Sequence, residues 1–137
     1  MTSRTRVLLL VLVTMAMGGA VLYAQAQKKP AIAYPEGYRK WIHVKSMVIF
    51  SKENKLFDRF GGMHNIYVNE IGWKAFRVGS SFPDGSIFVF DLYDVRTYMG
   101  TIEARGRKFL AVMKKNMKLY PDTGGWGFEV FPGYQGT

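Results

Sequence analysis

Five short apolar segments separated by turn signals limit what this chain of 137 residues can fold into. Their alternating pattern and their β-branched and aromatic side chains predict strands over residues 41–50, 64–69, 87–94, 106–114 and 126–131. A helical pattern occupies only one connection between strands, residues 70–78, where Asn69 suits the N-cap and Gly79 the C-terminal stop. Since parallel strands need long crossover connections, an antiparallel sheet is favoured.

Two further connections complete the predicted fold. Residues 51–62 indicate a loop or a short helical turn, and Phe82-Pro83-Asp84-Gly85-Ser86 is a turn, because proline fixes φ and glycine permits a left-handed residue. We therefore expect an α+β domain, mainly β, with an antiparallel sheet of about five strands and one or two short helices.

The first 26 residues have the pattern of a secretory signal peptide. Arg4 and Arg6 precede an apolar run over residues 7–22, and a small-x-small cleavage site follows at residues 24–26. An uncleaved membrane anchor is the alternative, but the run is near the lower length limit for a spanning helix. We expect a linker over residues 27–33, a domain over 34–137, no stable membrane span after cleavage, and a periplasmic or secreted location.

Composition excludes several classes of function. The chain has no cysteine, which excludes disulfides, thiol catalysis, cysteine-ligated zinc and iron–sulfur clusters. Its net charge is +9, but an exported protein is not expected to meet nucleic acid. The densest basic cluster is either a solvated face or a docking patch for an acidic redox partner. It comprises Lys114, Lys115 and Lys118, and Arg105, Arg107 and Lys108 lie just before it in the sequence.

No common catalytic motif is present, and His43 and His64 are the only histidines. With Asp91 and Glu129 they would form a mononuclear metal site if the strands brought them together, although packed or hydrogen-bonded histidines are the commoner outcome. The many aromatic residues indicate an ordinary β-rich core, an apolar cofactor pocket, or both.

Four blocks in fixed order carry a resemblance to a known family. They begin at Tyr34 (Tyr-Pro-Glu-Gly-Tyr-Arg-Lys-Trp), Gly61 (Gly-Gly-Met-His-Asn-Ile-Tyr-Val-Asn), Phe82 (Phe-Pro-Asp-Gly-Ser) and Thr123 (Thr-Gly-Gly-Trp-Gly-Phe-Glu-Val-Phe). Together they resemble the cytochrome P-460 family of secreted bacterial haem proteins, from Tyr34 to Tyr134. The resemblance implies a small antiparallel β protein that dimerises in the periplasm and acts on small nitrogen compounds. Some members oxidise hydroxylamine, whereas the related β-type cytochromes c′ bind nitric oxide.

The family's haem c is attached near the C-terminus through Cys-x-x-Cys-His, which this sequence lacks. Two thioether bonds need two cysteines, so we expect the sequence to be cut off and the proximal histidine to lie beyond Thr137. The lysine that some members cross-link to haem is best placed at His64-Asn65, where there is none, and Lys74 is the nearest later candidate.

The resemblance also assigns candidate site residues. Arg39 would hold a haem propionate or an anionic ligand, or else pair with Glu36 at the surface. His64 would be a distal residue that donates a hydrogen bond to an iron-bound ligand. Asp91 and Glu129 would be pocket bases or solvated carboxylates. The catalytic candidates are Arg39, His64, Lys74 and Asp91, and those for haem contact are Arg39, Tyr67, Phe76, Phe90 and Trp126.

Three hypotheses about function remain. The first is an exported haem protein that oxidises hydroxylamine or binds nitric oxide. The second is a haem-free module of the same fold that binds a small ligand. The third is a mononuclear metal site built on His43 and His64.

Overall fold

The computed structural model describes residues 31–133, and it confirms the five-stranded antiparallel sheet with two helices. The predicted signal peptide, most of the predicted linker and residues 134–137 lie outside the described residues. The strands are β1 (Ile42–Ile49), β2 (Gly62–Val68), β3 (Ile87–Tyr98), β4 (Thr101–Lys115) and β5 (Trp126–Pro132). The helices are α1 (Phe57–Phe60) and α2 (Glu70–Val78), with 3-10 turns at Tyr38–Lys40 and Pro121–Thr123. Neighbouring strands in the sheet are also consecutive in the chain.

Helix α2 forms as its sequence predicts. The Asn69 side chain accepts a hydrogen bond from the Gly72 amide at 3.0 Å and from the Ile87 amide at 3.1 Å. It also donates to the Gly85 carbonyl at 2.8 Å, so one side chain ties the helix to the start of β3. Gly79 ends the helix with a φ of 66°, which glycine adopts without steric cost.

The hairpin between β3 and β4 is longer than the sequence predicts. The sequence predicts that the third strand ends at Asp94 and that the fourth begins at residue 106. Both limits are wrong, because β3 and β4 remain paired from Val95↔Ala104 to Tyr98↔Thr101. Met99 and Gly100, with φ values of 46° and 81°, form the tight turn. The pairs of β3 with β2 extend only to Tyr93, so the end of the hairpin projects beyond its neighbours.

The first face of the sheet carries the hydrophobic core. Val89, Leu110 and Val112 are buried there against Tyr38 and Tyr120. Ile32 belongs to the same cluster, with 7% of its surface exposed, although the sequence predicts it to lie in the linker. The N-terminal segment of the domain and the two 3-10 turns therefore cover this face.

The second face is covered only in part. Helix α2 lies over one end, where Phe76 contacts Phe88 and a side chain at Gly72 would meet Val68. The opposite end, beside α1, is open and forms the cavity described below. In residues 31–133 there is no helix of the length and hydrophobicity needed to span a membrane.

Candidate functional site

An open apolar cavity of about 410 Å³ lies on the second face of the sheet. That volume falls within the usual range of about 300–1,000 Å³ for small-molecule sites. The cavity draws on all five strands and on α1. Its lining includes the aromatic and methionine side chains of Met47, Phe60, Phe90, Phe109, Met113 and Phe128.

His64 provides the cavity with polar chemistry. The histidine is 6% exposed, and its Nε2 lies 2.7 Å from the Phe60 carbonyl oxygen. Glu129 also borders the cavity, but it pairs with Val112, so its side chain points to the core face. Among the described residues that line this cavity, His64 is thus the one polar residue whose strand position faces it.

A buried polar cluster occupies the first face, on the other side of the sheet. Asp91 is 1% exposed and accepts hydrogen bonds from Tyr38, from Tyr93 at 2.9 Å and from Arg107 Nε at 2.6 Å. Arg107 also donates to Tyr38 at 2.7 Å, and Arg39 donates to Tyr93 at 2.5 Å. Both carboxylate oxygens are therefore engaged.

The electrostatics of this cluster follow from its burial. Burial and the hydrogen bond donated to Asp91 raise the pKa of the Tyr38 hydroxyl well above its ordinary value. Burial alone would lower the pKa of the Arg107 guanidinium. Its hydrogen bonds to Asp91 and Tyr93, together with the charge attraction of Asp91, outweigh that effect and raise the pKa overall. These side chains form a neutralised network, which favours a structural role for Asp91 over a role as a free base.

The structure brings together only part of the predicted catalytic set. His64 lines the cavity, whereas Arg39 and Asp91 lie in the polar cluster across the sheet. Arg39 is 3.6 Å from Asp91, so its ion pair is with Asp91 and not with Glu36. Lys74 is 73% exposed on α2, within 3.5 Å of Glu70, and does not line the cavity.

The predicted haem-contacting residues are likewise dispersed. Phe90 lines the cavity. Tyr67 faces the core, where its ring lies 5.4 Å from that of Tyr38. Phe76 stacks on Trp73 within α2, and Trp126 packs against Phe82 and Phe88. His64 and Phe90 are therefore the predicted residues that share the cavity.

The basic cluster is less solvated than the sequence suggests. The Arg107 side chain is 13% exposed inside the polar cluster, which contradicts a purely solvated face. Lys108 donates to the Gly61 carbonyl at 2.9 Å, and Lys115 donates to the Gly124 carbonyl at 2.6 Å. These three residues hold the fold together in addition to carrying charge.

The hypothesis of a mononuclear metal site fails on strand register. His64 pairs with Leu92 and shares its face of the sheet. Asp91 is adjacent to Leu92 on β3 and therefore faces the other side. Within residues 31–133 no group of three or more histidine, aspartate or glutamate side chains is placed to hold a metal ion.

Sequence reasoning missed Arg107, Tyr38 and Tyr93 as partners of Asp91. An aspartate alternating with Val89 on an apolar strand indicates a buried carboxylate, and such a group requires nearby donors. The partner strand could have supplied Arg107, but the register that pairs it with Tyr93 includes bulges, which local patterns do not reveal.

Comparison with known proteins decides the family. The family model for cytochrome P460 matches residues 35–136, most of the chain. The chain belongs to the cytochrome P460 family. No curated protein matches it significantly. Family membership indicates a haem protein, and members of the family are typically exported.

The residues present fit a haem macrocycle but not its thioether attachment. The cavity has apolar and aromatic walls, as a flat macrocycle requires. The sequence contains no cysteine, so the chain as given cannot form the thioether bonds of haem c.

Proposed function

We propose that this protein is an exported haem protein that holds the macrocycle at the apolar cavity and binds or oxidises a small nitrogen compound there. The observation that carries the proposal is the cavity itself, which exposes aromatic surface on the sheet of a cytochrome P460 domain. Phe128 is 60% exposed and Val130 is 56% exposed at its edge. Apolar surface of this kind is stabilised when a ligand covers it.

The chain's own residues would bind and enclose the macrocycle. Phe90, Phe109 and Phe128 offer flat aromatic surfaces, and Phe60 from α1 contacts Phe109 at 6.1 Å between ring centroids. Together they would exclude water from one side of the cofactor and strengthen polar interactions within the cavity. Haem, when bound, supplies an iron centre for ligand binding and one-electron chemistry.

A pair of matched variants tests where haem binds. Ala111 lines the cavity on β4, so Ala111→Phe should fill it and weaken haem binding at least tenfold in a titration followed at the Soret band. Ala104 lies on the same strand in the projecting hairpin, outside the cavity, so Ala104→Phe should leave the affinity unchanged. Equal affinities for the two variants would show that haem does not bind at this cavity.

A haem-free module that binds a small ligand is the second candidate, and the lack of any cysteine favours it. The same titration separates the two functions. A chain that gives no Soret shift but binds a small aromatic molecule such as phenol, and loses that binding in Ala111→Phe, supports the second.

We also propose export after removal of residues 1–26, a homodimer, and an acidic redox partner for the basic surface. Mass spectrometry of the periplasmic fraction tests the cleavage site, and sedimentation tests the dimer. A redox partner that binds through charge should dissociate as salt is raised.

A further inference from the structure

Lys45 lies at the edge of the sheet face that carries the apolar cavity. It pairs with Ile66 of β2, and the row of paired residues continues through Phe90 and Ala111 to Val130. Residues that pair directly in an antiparallel sheet share a face. The last three members of the row line the cavity, so Lys45 belongs to the cavity face.

The cavity is open on the side where Lys45 lies. β1 is an edge strand of the sheet. Met47, two residues further along β1, lines the cavity and is 39% exposed, and Lys45 is itself exposed. A lysine at such a border can lay its hydrocarbon stem on apolar surface and keep its ammonium group in water. Its charge is therefore available to a ligand that extends from the cavity to solvent.

The charge of Lys45 has no counter-charge in the part of the chain that the structure describes. Its side chain makes no hydrogen bond or ion pair there. In the described rows of paired residues that cross the cavity, no aspartate or glutamate lies on this face, because Asp91 and Glu129 point to the core face. Lys115, a second lysine on the cavity face, is engaged by the Gly124 carbonyl oxygen at 2.6 Å.

An unpaired cation beside an apolar cavity favours a ligand that has both characters. The apolar and aromatic walls accommodate a ring body, and an ammonium group binds a carboxylate through charge-assisted hydrogen bonds. A neutral apolar molecule would fill the cavity without using the lysine. A small inorganic anion would use the lysine without filling the cavity.

We propose that the cavity takes amphipathic anions, ligands with an apolar ring body and a carboxylate at one edge, and that Lys45 determines this specificity by binding the carboxylate. The proposal deepens the proposed function and rests on the same cavity. Haem, whose ring carries propionates, is one ligand of this class, and a free organic acid with an aromatic ring is another.

Two fluorescent probes with the same ring body test the specificity without haem. Pyrenebutanoate carries a carboxylate, and pyrenebutanol is its neutral counterpart. Lys45→Gln should weaken pyrenebutanoate binding about fivefold, the upper end for an exposed ion pair, and leave pyrenebutanol binding unchanged. Lys45→Arg should keep the preference for the acid, because it keeps the charge.

Lys40→Gln is the matched control, since Lys40 is exposed in the 3-10 turn on the core side and loses the same charge. It should change neither affinity. Equal affinities of the unaltered chain for the two probes would overturn the proposal. Equal losses for both probes in Lys45→Gln would also overturn it, because Lys45 would then act on the ring body and not on the carboxylate.

Haem and its dimethyl ester distinguish the source of the carboxylate. If haem supplies it, the unaltered chain should bind haem about fivefold more tightly than the ester, and Lys45→Gln should remove this difference. Equal affinities for the two forms would overturn Lys45 as a partner of a haem propionate. A chain that takes up neither form but still prefers pyrenebutanoate overturns the proposed haem function and supports a free organic acid as the ligand.

Discussion

At the scale of single residues, the same strand alternation that builds the sheet separates two kinds of polar site. Asp91 points to the core face and is enclosed by donors, whereas His64, on the neighbouring strand, points to the cavity and contacts the Phe60 carbonyl oxygen through Nε2. The first arrangement neutralises a buried charge, and the second places a histidine at the wall of an apolar cavity. His64 and Asp91 were both candidate site residues from the sequence. They differ in which face of the sheet their side chains occupy.

Asp91→Asn should destabilise the domain by about 3 kcal/mol, because it leaves the largely buried Arg107 guanidinium without its counter-charge. Urea unfolding monitored by circular dichroism measures this loss. Glu103→Gln removes a carboxylate from the ion pair with Arg96, whose side chains are 43% and 59% exposed, and should cost less than about 1 kcal/mol. A similar small cost at both sites would contradict a central structural role for Asp91.

The Tyr38 hydroxyl makes stability fall at alkaline pH. Its folded-state pKa is raised above the ordinary value of 10.0, so above about that pH the folded protein holds a proton that the unfolded chain has lost. The unfolding free energy should therefore decrease as pH rises from 9 to 11. Tyr38→Phe should make this slope shallower, and Tyr98→Phe, at an exposed site, should not. Identical slopes in both variants would exclude Tyr38 as the source.

At the scale of elements, the sequence predicts what local chemistry determines. The limits of α2 follow from Asn69 and Gly79, and both act as predicted. The projecting part of the β3–β4 hairpin is missed because charged residues such as Arg96, Glu103 and Arg105 break its apolar pattern. Its turn is set by Met99 in a left-handed conformation, which sequence rarely signals for methionine.

Asn69→Ala should destabilise the domain by about 2 kcal/mol, because it removes the helix cap and leaves the Ile87 amide and the Gly85 carbonyl without their partner. Thermal unfolding measures the effect. Asn54→Ala is the control: Asn54 accepts one bond from the Leu56 amide at an exposed position, so its removal should cost about 0.5 kcal/mol. Equal losses would mean that Asn69 acts only as a local cap.

At the scale of the whole molecule, the two faces of the sheet carry different features. One face carries the core and the Asp91 cluster, and the other carries the cavity and α2. The fold class and the family were accessible from the sequence, because strand pattern and ordered blocks are local signals. Which of the predicted residues line the cavity was not accessible from the sequence. Arg39, Tyr67 and Asp91 lie on the core face, because strand register and side-chain direction place them there.

We propose that this chain binds haem at the apolar cavity, and the chain has no cysteine with which to form a thioether bond. The most direct measurement is a titration of the purified 137-residue chain with haem, read at the Soret band and followed by acid extraction into an organic solvent. We predict saturation at one haem per chain and complete extraction, because no cysteine is present to retain the cofactor. A chain that gives no saturable Soret band would contradict the account.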